Sequence, residues 1–205
     1  TLPALLFISL LSSPSWSETV DDLIGRHNLL YKKFTDVPFT GKVTGKLQGS
    51  IKNGKWDGAV AAYRENGQLQ FKENYIDGKL NGNWAAYHQS GRLSEEGNYK
   101  NGKKEGPWVT YHENGQLWSK SNYKNGKDEG AWVYYWDNGQ LRFKCNYRNG
   151  KWDGPQVRYY KDGQVNNKGN YKNDKMDGAW VGYNEDGTAW KEYTGIFKNG
   201  VKISD

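Results

Sequence analysis

The sequence predicts an all-β fold: an elongated antiparallel meander of six repeated β-hairpins. Three observations predict it. Asn-Gly or a close equivalent returns every 24 residues, at Asn53, Asp77, Asn101, Asn125, Asn149 and Asn173. The 205 residues hold 26 Gly, 10 Trp and 15 Tyr but only 35% hydrophobic residues in all, so aromatic side chains between tight turns must supply the apolar bulk. No apolar period of 3.6 residues competes with the short runs that those turns bound. The composition also excludes two other classes. Only 5 Pro and no Gly-X-Y period rule out collagen, and the aromatic content argues against disorder.

The elements follow in order. Residues 1–17 carry no charge and contain an apolar run from Leu2 to Leu11, followed by Ser12, Ser13, Pro14, Ser15, Trp16 and Ser17. This reads as the apolar and cleavage regions of a signal peptide cut before Glu18, too short to span a bilayer as a helix, and implies an exported, periplasmic or envelope protein. Residues 18–52 read as an N-terminal cap whose entering strand includes Phe39 to Val43. Six units of about 24 residues fill 53–198, the last lengthened by two residues near Thr194-Gly195. Residues 199–205 close the other end.

Within a unit, shown by residues 101–124, Gly106 is followed by Trp108, Tyr111, Gly115, Leu117 and Tyr123. An aromatic and β-branched run, a turn at Glu113 to Gln116 and a second run ending in Asn122-Tyr123 read as one hairpin. The Asn-Gly pairs supply the positive φ that tight turns need. The turn length leaves two registers open. A two-residue loop sets Trp108 across from Ser121; a three-residue loop with a bulge pairs Tyr111 with Leu117. The first gains support from the small residues Gly97, Ser121, Cys145 and Gly169 at the position facing Trp, over which an indole can lie flat. With strands about 4.8 Å apart, each unit advances about 10 Å, giving a ribbon stabilised between neighbours.

Tyr111-x-x-Asn114-Gly115-Gln116-Leu117 and Asn122-Tyr123-Lys124-Asn125-Gly126-Lys127, with the entry at Pro38 to Val43, resemble MORN-type repeats. The variant is that of the bacterial YwqK-type family. The resemblance covers about residues 38–203 and implies a non-catalytic binding protein, namely an antitoxin of a toxin–antitoxin system. For an exported chain it implies an immunity protein that neutralises a toxin or effector in the envelope.

The residues themselves point to binding rather than catalysis. His88 and His112 hold the same repeat position, about 10 Å apart, too far for a shared metal whose ligands sit about 2 Å away. Cys145 has no adjacent His and stands at a small-residue position, which argues against a nucleophile. Asp57, Glu105, Asp128, Glu129, Asp153 and Asp177 share one loop of each unit with lysines and read as a solvated loop of mixed charge. No enzyme activity, metal or cofactor is expected. The net charge of +6 does not call for nucleic acid.

Two surfaces remain. Structural aromatics recur with the period, whereas Trp118, Trp136 and Tyr160 stand where other units carry polar residues. Rimmed by Arg142 and Arg158, and with His112 in the same column as Trp136, they form the expected partner-binding strip, since Trp, Tyr and Arg dominate protein hot spots. The alternative is a basic stripe. Lys100, Lys124, Arg148, Lys172 and Lys198, with Lys55, Lys79, Lys103, Lys127, Lys151 and Lys175, recur once per unit and suit an anionic lipid or glycan. Self-assembly through the end strands is a third reading.

Overall fold

The computed structural model describes residues 17–205. The expected leader, residues 1–17, lies outside the described residues except for Ser17. Five regular hairpins form the body: Gly58–Tyr63 with Leu69–Ile76, Gly82–Tyr87 with Leu93–Lys100, Gly106–Tyr111 with Leu117–Lys124, Gly130–Tyr135 with Leu141–Arg148, and Gly154–Tyr159 with Val165–Lys172. Each pairs with the next, Lys120 with Val133 and Lys144 with Val157 for example, so one sheet runs through all of them.

The link between hairpins is a two-residue turn. Lys124 pairs with Lys127 across Asn125 (φ +53°) and Gly126 (φ +79°). Both central residues are left-handed, the type I′ geometry that Asn-Gly tolerates best. The Gly126 N–H then donates to the Lys104 carbonyl at 2.9 Å, and Gly150 to that of Asp128 at 2.8 Å, stitching each turn to the unit before it.

The core is a ladder on one face of this sheet. Trp108 meets Tyr99 edge-on at 5.2 Å and Tyr123 at 6.0 Å; Tyr123 meets Trp132 at 5.3 Å, and Trp132 meets Tyr147 at 5.0 Å. Edge-to-face contacts of this kind add to the area each ring buries. Trp108 is left only 1% exposed.

The small residues facing Trp are required by this ladder, with one shift from expectation. Trp84 is the register partner of Gly97, yet the ring lying over Gly97 is Trp108 of the next hairpin; a Cβ on Gly97 would meet Trp108 Cδ2 at 2.2 Å. Trp180 covers Gly169 in the same way. The indole N–H groups of Trp108, Trp132 and Trp180 donate to the carbonyls of Asn98, Asn122 and Asn170. Where the preceding residue is Glu73, the following Trp84 is only half-buried.

The ends depart from the repeat. The meander is not purely antiparallel, because Ser17–Thr19 pairs in parallel with Gly41–Thr44. A separate two-stranded hairpin, Leu23–Arg26 with Leu29–Lys32, folds back near the first Asn-Gly turn, where Leu30 N–H donates to the Gly54 carbonyl. Leu23, Phe39, Val43 and Ile51 form a buried cluster there. At the other end Gly178–Gly182 pairs with Gly195–Lys198 across a long connection containing the 3-10 turn Lys191–Tyr193. Val201–Ser204 adds the last strand.

Candidate functional site

The site begins at the turn inside each hairpin. The His112 N–H donates to the Gln116 carbonyl at 2.8 Å, and the Gly115 N–H to that of His112 at 2.8 Å, leaving Glu113, Asn114 and Gly115 as a three-residue loop. Asn114 Oδ1 accepts from the Gln116 N–H and tightens it. The two registers left open by the sequence both occur in one hairpin. Trp108 pairs with Ser121 and Thr110 with Ser119, but Tyr111 pairs with Leu117. The residue left over is Trp118, and such a bulge re-aims its side chain.

Trp118 therefore comes to lie by the aromatic face. Its ring is 6.2 Å from Tyr134 and 6.4 Å from His112, and it remains 41% exposed. The same bulge in the next hairpin holds Arg142, whose guanidinium sits 4.4 Å from the Trp136 ring centre. Exposed Arg158 lies 5.0 Å from the Phe143 ring. Cation–aromatic contacts of this geometry hold an arginine in place while leaving its donors available.

The first residue of each turn has a second task. Arg64 donates to the Tyr87 carbonyl at 2.8 Å, His88 Nε2 to Tyr111 at 2.9 Å, His112 Nε2 to Tyr135 at 3.2 Å and the Tyr160 hydroxyl to Tyr183 at 2.8 Å. Each reaches one hairpin onward. The column is thus a ladder of long side-chain donors. Trp136 belongs to the column, but its buried indole N–H meets no acceptor. His112, Trp136 and Tyr160 are half-buried, whereas Arg142 and Arg158 are exposed. The structure brings His112 to Trp118 and Trp136 to Arg142; Tyr160 and Arg158 belong to the following hairpin.

The remaining titratable groups have structural surroundings. Burial pushes the Cys145 thiol up to about 12, far from the thiolate that nucleophilic attack requires. Glu105 and Glu129, expected as solvated loop residues, accept from the backbone N–H groups of Asn125 and Asn149 in the next turn. Asp128 is held above the usual carboxylate value by burial, which the nearby Lys104 partly opposes. Lys104 itself lies 3.7 Å from the Trp108 ring and pairs with Glu95 at 2.9 Å. Among the described residues no group of three or more His, Cys, Asp and Glu is placed to hold a metal ion.

The basic stripe runs along the Asn-Gly turns, where Lys100 faces Lys103, Lys124 faces Lys127 and Lys172 faces Lys175. Lys151, Lys172, Lys175 and Lys198 surround a 470 Å³ hollow that also contains Asp177, 3.6 Å from Lys198. A further lysine series, Lys72, Lys120, Lys144 and Lys168, was not singled out by the sequence reading. Its 24-residue recurrence is the signal that reveals it, broken by Glu96.

Fold and site together define a hairpin-repeat protein whose recurring residues build a sheet and whose variable residues gather at its bulged turns. The MORN repeat variant model matches residues 56–77, 80–101, 104–125, 128–149 and 152–173, and the chain belongs to that family. The irregular sixth unit is outside these matches. MORN repeats are generally non-catalytic modules, often binding membrane lipids or proteins. No curated protein matches the chain. One solved structure, titled "Crystal structure of GtfA/B complex bound to UDP and GlcNAc", is 17% identical over 69% of this chain and 26% of that one, with a TM-score of 0.21. At that score it carries no argument about fold or function.

Proposed function

We propose that this chain is a non-catalytic binder of a protein partner, of the antitoxin or immunity type, acting on a toxin or effector outside the cytoplasm. The observation that carries the binding surface is the exposed Trp118 beside His112, followed one hairpin later by Arg142 stacked on Trp136. Partly exposed aromatics with positioned arginines are the residues that dominate protein hot spots. The resemblance of the units to YwqK-type repeats supports the antitoxin reading, and the apolar run at Leu2 to Leu11 supports export.

The test is affinity capture from the envelope fraction of the source cell, with Trp118→Ala/Arg142→Ala as the comparison. One stoichiometric protein, lost with the double variant and toxic when expressed alone, is the expected result. Equal capture by both forms rejects the strip.

A second reading rests on the hollow bordered by Lys151, Lys172, Lys175 and Lys198. Four ammonium groups around one carboxylate suit an anionic lipid headgroup or glycan. Binding to phosphatidylglycerol vesicles that falls steeply with salt and is lost in Lys172→Glu/Lys198→Glu supports it.

A further inference from the structure

The face opposite the aromatic ladder is a single alternating row. Val109 pairs with Lys120, Val133 with Lys144 and Val157 with Lys168 inside their hairpins. Between hairpins Lys120 pairs with Val133, Lys144 with Val157 and Lys168 with Val181. Side chains of directly paired residues share a face, so the row reads valine, lysine, valine, lysine from Val109 to Val181. Beside it run Pro107, Ala131 and Pro155, paired with Asn122, Asn146 and Asn170.

This face is a groove of about 580 Å³ from Ala131 to Val181. Its floor is apolar, with Ala131, Pro155 and Ala179 exposed. Lys120, Lys144 and Lys168 are exposed too, and among the described residues none of them joins a salt bridge. An apolar floor under an unneutralised row of ammonium groups is complementary to an apolar chain bearing carboxylates.

The spacing specifies that chain further. Lysines two strands apart are about 10 Å apart, and a segment in the polyproline II conformation advances about 3.1 Å per residue with about three residues per turn. Every third residue of such a segment laid across the strands points to the same side and therefore meets a lysine. The side-chain amides of Asn146 and Asn170 border the groove, where they can hydrogen-bond that segment's backbone.

We propose that the valine–lysine groove binds an acidic segment of a partner protein in the polyproline II conformation, with Asp or Glu at every third position and small aliphatic residues between. This surface is separate from the Trp118 strip and does not depend on it.

The experiment is selection of a phage-displayed random 12-residue peptide library on the full chain, followed by titration of the synthetic consensus peptide. The expected consensus has carboxylates three residues apart with aliphatic residues between. Lys144→Glu/Lys168→Glu should weaken the peptide by at least about tenfold. Ala131→Glu, which keeps every lysine, should also weaken it, while Trp118→Ala leaves it unchanged. Circular dichroism checks that each variant is folded. Three outcomes overturn the proposal: no such consensus, a consensus peptide indifferent to the groove variants, or equal competition by polyglutamate, which would reduce the groove to a charged surface.

Discussion

The two faces of this sheet are made by the same strands and have opposite chemistry. Trp108 and Val109 are neighbours in sequence. Trp108 disappears beneath Tyr99, Tyr123 and the backbone of Gly97, while Val109 stays half-exposed between Glu96 and Lys120. The aromatic face holds successive hairpins together, because Trp108 and Trp180 each cover a glycine of the unit before and the rings of neighbouring units touch. The valine–lysine face has no such ring layer: of the valines from Val109 to Val181 only Val157 is buried. In a sheet that buries only one face, the other can vary or bind at little expense to folding.

Five substitutions sharpen this contrast, from the largest effect to the smallest. Gly97→Val forces a side chain into the Trp108 ring and should cost about 3 kcal/mol in urea denaturation, since overpacking a close contact cannot relax cheaply. A cost under about 1 kcal/mol would mean that the indole is free to move. Gly126→Ala, at φ +79°, should cost about 1–2 kcal/mol by the same measurement, because a Cβ is strained in that region.

His112→Ala removes the bond to the Tyr135 carbonyl at the bulged turn and should cost about 1 kcal/mol. The matching Trp136→His substitution replaces an indole N–H that meets no acceptor with an imidazole like those that bond one hairpin onward, and should raise the melting temperature.

The smallest effect concerns pH. Burial raises the Asp128 carboxyl above 3.8 in the folded state, so its ionisation opposes folding. A raised folded value means that this group favours folding most when protonated, below 3.8, and that the advantage fades as pH rises through the folded value. Asp128→Asn should therefore melt higher than the parent at pH 7, with the gap closing as pH falls below 3.8. A gap that persists in acid would trace the gain to packing instead.

Much of this was legible in the sequence, and the misses have identifiable causes. The period placed every hairpin of the body, because Asn125-Gly126 and its equivalents admit few other backbone shapes. The small residue near Trp was also legible, but not which indole covers it, since that depends on how one hairpin leans on the next. The turn was posed as a choice between two registers, whereas a bulge at Trp118 lets both coexist. Of the candidate site, Trp118, Trp136 and Tyr160 stand out in the sequence only as departures from the repeat. The ladder task of His112 and Tyr160 was hidden because its acceptors are backbone carbonyls, which leave no mark in sequence. The parallel pairing of Ser17–Thr19 with Gly41–Thr44 joins segments with no periodic signal.

The central claim is that stability resides on the aromatic face and not on its opposite. Urea denaturation of Trp108→Ala beside Val109→Ala tests it with adjacent residues. The account predicts a loss of about 4 kcal/mol for Trp108→Ala and no more than about 1 kcal/mol for Val109→Ala. Equal losses would contradict it, and would show that the valine–lysine face is as much a core as the aromatic ladder.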